Sequence, residues 1–267
     1  MPLPPPQPDS IALITGASAG IGEQFARQLS ARGHRVALVA RREDRLQQLT
    51  EELGGGERAV AIGADLAVEA DRDRLAERIE SLGANVEVLV NNAGLGMFGS
   101  FADTGREAEL RQLRVDVEAV VDLMARYLPG MVKRGRGAII NMASTSGFQP
   151  LPYNAGYSAA KSHVLILSEA VHTEVKEHGV TVTAVCPGPV PTEFQETNDA
   201  QFAERLPKMT WVSAERVARD ALAAADRGRR TLIPGGPHVR ASFAPNRLAP
   251  SWLVLPIAKR LMARKPT

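Results

Sequence analysis

Two side chains in the stretch GYSAAKSHV, residues 156–164, could act together on a proton: Tyr157 and Lys161. They stand four residues apart in a segment with a helical pattern, and residues at this spacing lie on the same face of a helix. An ammonium group beside a phenol favours the tyrosinate form, which suits the phenol to exchange a proton with a reactant. The same spacing also fits an ordinary surface pair, so the interpretation depends on the rest of the chain.

A glycine-rich stretch, TGASAGIG at residues 15–22, directly follows the first predicted strand and opens the first predicted helix. Gly16, Gly20 and Gly22 can adopt backbone conformations closed to other residues and let backbone amides approach a pyrophosphate. The amino end of the helix adds a partial positive charge. This context favours a dinucleotide site that also involves Ser18 and Ile21 over a merely structural turn.

The end of the second predicted strand indicates which dinucleotide binds. NAD-selective sites place an acidic residue there to hold the ribose hydroxyls. This chain has Ala40, followed by Arg41 and Arg42. Two guanidinium groups can bind a 2′-phosphate through charge-assisted hydrogen bonds, so the pattern favours NADP. The alternative is that both arginines are simply solvated.

Predicted strands and helices alternate along the chain. Short runs rich in Val, Ile and Leu are typical of strands buried on both faces, and longer helical patterns separate them. The predicted fold is therefore α/β, with one doubly wound parallel sheet of about seven strands and helices on both faces. The predicted strands are 11–15, 35–40, 59–64, 86–91, 138–143, 180–185 and 230–234, and the predicted helices are 21–31, 43–53, 68–82, 106–132, 154–178 and 213–227.

Composition limits the classes of function. With 267 residues, 44% hydrophobic, the chain suits one sizeable domain, and a net charge of +2 gives no reason to expect nucleic acid as a partner. The single cysteine, Cys186, excludes an internal disulfide and is more typical of a core position than of a redox centre. The histidines form no metal-binding spacing, so we expect no metal. A signal peptide and a spanning segment are not indicated, so we expect a soluble, cytoplasmic protein.

Three segments are predicted. Residues 1–9 are rich in proline and are expected to form a disordered arm. Residues 10–240 form the domain, in which 189–212 reads as a lid over the substrate. Residues 241–267 form an amphipathic extension that could cover the domain, a second subunit or a membrane surface, with packing favoured over membrane contact.

Five motifs in order and spacing resemble the short-chain dehydrogenase/reductase family over about residues 10–235. Besides the glycine loop and the YSAAK stretch at 157–161, they are NNAG at 91–94, Ser144 after the fifth strand, and PGPVPT at 187–192. The resemblance implies a Rossmann-like NADP(H) enzyme that interconverts a carbonyl and a secondary alcohol, and commonly a homodimer or homotetramer. It implies that Tyr157 is the acid or base, Lys161 tunes it, and Ser144 holds the substrate oxygen.

The resemblance also implies the remaining residues that border the cofactor. Asn91 looks like the residue that stiffens the central strand. The cofactor-side positions implied are Asp65, Leu66, Asn92, Ala93, Gly94, Pro187, Gly188, Val190 and Thr192.

One position departs from the family pattern. The family usually has an asparagine in the long helix before the fifth strand, where it helps to hold a water that links the lysine to solvent; this chain has Asp116. Its relay role is therefore doubtful. At a distance of about 6 Å, an ionised Asp116 would oppose Lys161 and raise the pKa of Tyr157.

A lipophilic substrate is expected because the candidate substrate-facing residues are mostly apolar and include no arginine clamp. Several of them could simply pack the lid instead. They are Met97, Phe98, Phe148, Leu151, Tyr153, Phe194, Phe202, Met209 and Trp211. A binding-only sensor on the same scaffold is the alternative function, although such a protein has no need of Ser144, Tyr157 and Lys161 together.

Overall fold

A single seven-stranded parallel sheet forms the centre of the protein, seen here in a computed structural model that describes residues 3–194 and 207–262. Its strand order is β3-β2-β1-β4-β5-β6-β7, which confirms the predicted doubly wound α/β fold. The strands are β1 Ser10–Thr15, β2 Val36–Ala40, β3 Ala59–Gly63, β4 Asn85–Asn91, β5 Gly137–Met142, β6 Val180–Val185 and β7 Thr231–Leu232.

Helices cover both faces of this sheet because apolar strands must be shielded from water on both sides. Phe25, Leu46 and Val217 belong to the core on one face, and Leu75, Leu123 and Val164 belong to the core on the other. The helices are α1 Gly20–Ala31, α2 Glu43–Glu52, α3 Glu69–Ser81, α4 Arg106–Leu113, α5 Ala119–Arg134, α6 Ala155–Val175, α7 Ala214–Asp226, α8 Pro237–Phe243 and α9 Ser251–Met262.

The helix predicted over 106–132 differs from a single continuous helix. A π-helical turn, Arg114–Glu118, joins α4 to α5 and contains Asp116. A π turn holds one residue more than an α turn and frequently occurs at functional sites.

The described part of the proline-rich segment, from Leu3 onward, contacts the domain at both of its ends. Leu3 is buried in the core that contains α1. The Asp9 carbonyl accepts a hydrogen bond from the Asn85 amide at 2.7 Å, which joins the end of the segment to β4.

Two further predictions concern the interior. Cys186 is fully buried, and this burial raises the pKa of its thiol to about 12, as expected of a core residue. Across the central strands, the Asn91 side chain donates a hydrogen bond to Asn141 at 2.8 Å. Asn91 therefore links β4 to β5 through side chains as well as through the backbone.

The sheet has its topological switch point at β1, whose neighbours are β2 and β4. From β1 the chain continues to β2 and β3 on one side and then returns to β4 on the other side of β1. The connections on the two sides therefore run in opposite directions, and a crevice opens between them at the carboxyl ends of the strands. Among the described helices, none is long and apolar enough to cross a membrane.

Candidate active site

A cavity of about 550 Å³ occupies this crevice. It brings together eighteen of the residues that the sequence singles out, although they come from seven separate stretches of chain. They are Gly16, Ser18, Gly20, Ile21, Arg41, Arg42, Asp65, Leu66, Asn92, Ala93, Gly94, Ser144, Tyr157, Lys161, Pro187, Gly188, Val190 and Thr192. Gly22 and Asp116 do not line the cavity. Each adjoins a residue that does, Gly22 next to Gly16 and Asp116 next to Lys161.

The glycine loop forms a tight cradle between β1 and α1. Gly16 and Gly20 have φ values of +65° and +60°, which disfavour residues with a side chain. A Cβ on Gly22 would lie 2.2 Å from the Gly16 carbonyl oxygen, so this position admits no side chain without movement of the loop. The first turn of the helix can therefore approach a bound phosphate closely.

Asn92 and Thr15 fasten this cradle to the end of β4. The Asn92 side chain donates to the Thr15 carbonyl at 3.0 Å, and the Thr15 hydroxyl accepts from the backbone amides of Asn92 and Ala93. These bonds satisfy polar groups at the strand ends and fix the spacing between the two loops. The NNAG motif thus supports the glycine loop directly.

The arginine pair lies at the end of β2 that faces the cavity. Arg42 donates to the Ser18 hydroxyl at 3.1 Å and forms an ion pair with Glu193 at 2.8 Å. Both Arg41 and Arg42 are exposed, and Ala40 leaves the end of the strand without a carboxylate. A cationic edge therefore borders the part of the cavity next to the glycine loop.

Arg111 is a cavity residue that the sequence interpretation missed. Its guanidinium forms an ion pair with Asp65 at 2.5 Å. Partial burial works to raise the pKa of Asp65, but the hydrogen bonds from Arg111 and the Ala67 amide, together with the positive charges of Arg111 and Arg41, outweigh it and hold the pKa below its ordinary value. No local pattern links these two residues, which are 46 positions apart, so only the fold could reveal the pair.

Tyr157, Lys161 and Ser144 meet at the opposite end of the cavity. The Lys161 ammonium lies 5.5 Å from the centre of the Tyr157 ring and donates to the Met142 carbonyl at 3.2 Å. Ser144 follows β5, and its hydroxyl is hydrogen-bonded to the Tyr157 side chain. The short turn after Ser144 packs closely on α6, where a Cβ on Gly147 would lie 2.7 Å from the Lys161 backbone.

The pKa of the Tyr157 phenol is raised above its ordinary value. Burial is the main cause, the negative charge of Asp116 adds to it, and the hydrogen bond with Ser144 acts in the opposite direction. The phenol therefore holds its proton more firmly than a free tyrosine does. At neutral pH it is protonated and is a weaker acid than a free tyrosine, so release of the proton depends on positive charge nearby.

Asp116 approaches Lys161 more closely than the 6 Å expected from the sequence. The distance from Lys161 Nζ to Asp116 Oδ1 is 3.7 Å, and Asp116 is completely buried. Oδ1 also accepts a hydrogen bond from the Leu95 amide at 2.9 Å, whereas Oδ2 has no partner within the described part of the chain. Burial raises the pKa of Asp116, and the positive charge of Lys161 works against this rise.

Gly94 lies against both members of this pair, of which Lys161 lines the cavity. A Cβ at Gly94 would lie 3.1 Å from Asp116 Oδ1 and 3.3 Å from Lys161 Nζ. The absence of a side chain therefore lets the backbone between β4 and α4 pass close to both charges.

Two phenylalanine rings lie near the Tyr157 phenol. The rings of Phe98 and Phe194 lie 6.4 Å and 6.0 Å from the Tyr157 ring, and both line the cavity. Of the other predicted substrate-facing residues, Phe202 lies outside the described residues. The remainder, Met97, Phe148, Leu151, Tyr153, Met209 and Trp211, do not line the cavity.

The sequence matches a known protein family. Residues 10–202 match the family model described as short chain dehydrogenase. An uncharacterised oxidoreductase from Staphylococcus epidermidis is 32% identical over 197 residues, which cover 74% of this chain and 84% of that protein. A very-long-chain 3-oxoacyl-CoA reductase from Bos taurus is 30% identical over 256 residues, covering 92% and 78%.

Solved structures agree with this placement. A short-chain dehydrogenase from Sphingobium yanoikuyae in complex with NADPH superposes with a TM-score of 0.80 at 32% identity, covering 92% of this chain and 94% of that one. A 3-ketoacyl-(acyl-carrier-protein) reductase from Brucella melitensis complexed with NADH gives a TM-score of 0.77 at 28% identity, covering 86% and 98%. The chain belongs to the short-chain dehydrogenase family, whose members are oxidoreductases that use a nicotinamide cofactor.

Proposed function

We propose that this protein is an NADP(H)-dependent oxidoreductase that interconverts a carbonyl and a secondary alcohol on a lipophilic small molecule. The proposal rests on the residues that line one cavity. Ser144, Tyr157 and Lys161 meet at one end of it, and an arginine pair borders the other end. In this proposal a dinucleotide binds between them, with its pyrophosphate at the glycine loop, where the missing Cβ atoms let the backbone amides come close.

In this proposal, the three polar residues act on the substrate oxygen. Ser144 donates a hydrogen bond to that oxygen and holds it next to the phenol. Tyr157 gives its proton to the oxygen during reduction and takes it back during oxidation. Lys161 holds positive charge beside the phenol and stabilises the tyrosinate that reduction leaves behind. The nicotinamide cofactor, when bound, supplies or accepts the hydride at the adjacent carbon.

The preference for NADP rests on charge. A 2′-phosphate placed near the end of β2 would meet Arg41 and Arg42 and no carboxylate at Ala40. Glu193 already neutralises part of the Arg42 charge, so the phosphate has to compete for that guanidinium. Similarity alone does not decide the preference, because one related structure holds NADPH and another holds NADH.

The substrate class rests on the surroundings of the phenol. Phe98 and Phe194 present aromatic surface on two sides of Tyr157. Apolar walls of this kind favour an extended or cyclic hydrocarbon next to the reacting carbonyl. Relatives include a very-long-chain 3-oxoacyl-CoA reductase, which acts on a carbonyl beside a long acyl chain, in line with this class.

The direct test follows the oxidation of NADPH and of NADH at 340 nm with a graded panel of carbonyl compounds. The panel runs from acetone through medium-chain 3-oxoacyl thioesters to cyclic ketones. We expect kcat/KM to rise with apolar size and to be higher with NADPH. Equal rates with both cofactors would contradict the NADP assignment, and a preference for small polar ketones would contradict the substrate class.

A catalytically weak NADP-binding sensor is the second candidate, and the buried Asp116 favours it. Its charge lies 3.7 Å from Lys161 and adds to the rise in the pKa of Tyr157. Tight NADPH binding without turnover of any panel member would support the sensor. Turnover that disappears in Tyr157→Phe supports the enzyme. Self-association and a cytoplasmic location stay predictions.

A further inference from the structure

The last described helix, α9 (Ser251–Met262), carries a large apolar surface that the rest of the described chain does not cover. Leu253, Ile257 and Leu261 follow an i, i+4, i+8 spacing and are 47%, 53% and 58% exposed. Residues at this spacing form one stripe along a helix. Trp252, with 75% of its surface exposed, stands next to it in the sequence, whereas Val254 and Ala258 are buried.

The charged side chains of the C-terminal segment have a single sign, although Glu169 of α6 forms ion pairs with two of them, Arg230 and Arg247. Residues 227–267 contain nine lysines and arginines and no aspartate or glutamate, although the whole chain carries only +2. On α9 itself, Lys259 and Arg260 are exposed, and neither forms an ion pair within residues 3–194 and 207–262. The apolar stripe therefore lies in a strongly basic part of an otherwise acidic chain.

We infer that α9 is an interfacial helix that docks this protein on an anionic lipid surface. Leu253, Ile257 and Trp252 would enter the boundary between headgroups and acyl chains, and Lys259 and Arg260 would contact anionic headgroups. Trp is enriched at this depth of a bilayer because its ring is apolar and its N–H is polar. At about 1.5 Å per residue, twelve residues span roughly 18 Å, which suits a helix that lies in the interface rather than across the hydrocarbon core.

Pairing with the same helix of a second copy is the main competing occupant. Two such segments would bring positive charges together without any carboxylate of their own to balance them, which opposes this pairing. Anionic lipid offers the opposite sign together with an apolar layer. The observations therefore favour lipid, and a second copy becomes an outcome of the test.

The first experiment measures sedimentation of the full-length protein with vesicles. Vesicles of pure phosphatidylcholine are compared with vesicles that contain about one third phosphatidylglycerol, at 50 mM and 500 mM NaCl. We expect recovery with the anionic vesicles at low salt, and much less recovery at high salt or with pure phosphatidylcholine. Equal recovery with and without vesicles overturns the inference, and so does equal binding to both vesicle types.

Two matched changes locate the binding on α9. Ile257→Ser should weaken vesicle binding about tenfold, whereas Ile166→Ser, which changes an isoleucine of similar exposure (64%) on α6, should leave it unchanged. The double change Lys259→Gln and Arg260→Gln should weaken binding roughly thirtyfold, since each basic residue near an anionic surface contributes about fivefold. Melting temperatures establish that the variants are folded. Unchanged binding in both α9 variants overturns the inference.

A second readout uses the tryptophan on the helix without disturbing α9. The chain has two tryptophans, so Trp211→Phe leaves Trp252 as the only one. Its emission should shift to shorter wavelength with anionic vesicles and stay constant with pure phosphatidylcholine. An unchanged emission, or an Ile257→Ser variant that lowers only the oligomeric mass in light scattering, would assign α9 to contacts between copies instead.

Discussion

The ammonium nitrogen of Lys161 lies 3.7 Å from the carboxylate oxygen Oδ1 of the fully buried Asp116, next to Gly94. The residue that should favour tyrosinate is thus itself paired with a negative charge. That charge works on Tyr157 in the same direction as burial, and both raise the pKa of the phenol. After burial itself, the Asp116 charge is therefore the second cause of the firm hold that Tyr157 keeps on its proton.

The first prediction concerns Asp116→Asn. Removal of this charge takes away one cause of the raised pKa, so Tyr157 should ionise at lower pH than in the native protein. Alcohol oxidation needs tyrosinate, so its rise with pH should shift to lower pH. Carbonyl reduction needs the protonated phenol, so its decline at alkaline pH should also shift to lower pH. Profiles of kcat/KM between pH 6 and 11 measure both shifts.

A surface carboxylate provides the control for this prediction. Asp226 pairs with Arg32 at 3.0 Å on the exposed side of α7 and lies outside the cavity lining. Asp226→Asn should leave both pH profiles in place. Coincident profiles of the native protein and Asp116→Asn would show that Asp116 does not tune the phenol.

A second prediction concerns Tyr157→Phe, a substitution that removes the phenol hydroxyl. Tyr157→Phe should lower kcat by at least about a hundredfold, the usual contribution of a positioned proton donor. Binding of NADPH, followed by fluorescence titration, should change little. Loss of cofactor binding together with activity would mean that Tyr157 is needed to form the site rather than to transfer a proton.

Tyr127→Phe is the matched control because it deletes the same atom on α5, away from the cavity. The Tyr127 hydroxyl is buried without a hydrogen-bond partner in the described part of the protein. Burial also raises the pKa of this phenol to about 12. Its removal should leave activity unchanged and keep or increase the free energy of unfolding, by up to about 1 kcal/mol. Chemical denaturation measures this change.

The third prediction addresses the choice of cofactor. Arg42→Gln should raise the KM for NADPH about tenfold, in keeping with the loss of one charge-assisted hydrogen bond at an exposed position. The KM for NADH should stay nearly constant, because NADH has no 2′-phosphate. Arg45→Gln, an exposed arginine of α2 outside the cavity lining, serves as the control. An equal rise for both cofactors would assign Arg42 to a structural role.

The fourth prediction concerns the glycine cradle. An added methyl group at Gly22 would meet the Gly16 carbonyl at 2.2 Å, so Gly22→Ala should displace the loop. Overpacking of this kind costs about 1–3 kcal/mol, which corresponds to a fall of roughly 3–9 °C in melting temperature. NADPH affinity should fall as well. Gly56→Ala, where no atom lies within 4 Å of the added Cβ, should change neither quantity.

The order of the elements could be predicted from the sequence because each is encoded locally. Continuous apolar runs such as VALVA at residues 36–40 specify strands buried on both faces, and the observed β2 matches this run. The spacing of Tyr157 and Lys161 places both on one helix face by itself. The glycine loop could also be predicted from the sequence, because its conformation depends on residues next to one another in the chain.

Contacts between segments that are distant in the chain could not be predicted from the sequence and became visible only in the folded structure. The pairing of Arg111 with Asp65, the π turn around Asp116 and the 3.7 Å approach of Asp116 to Lys161 each depend on how α4 and α5 cross the ends of the strands. The burial of Leu3 likewise depends on a surface supplied by other elements. Periodicity and spacing describe neighbours along the chain. Coulombic interaction and burial depend on separation in space, which the packing of the whole domain sets.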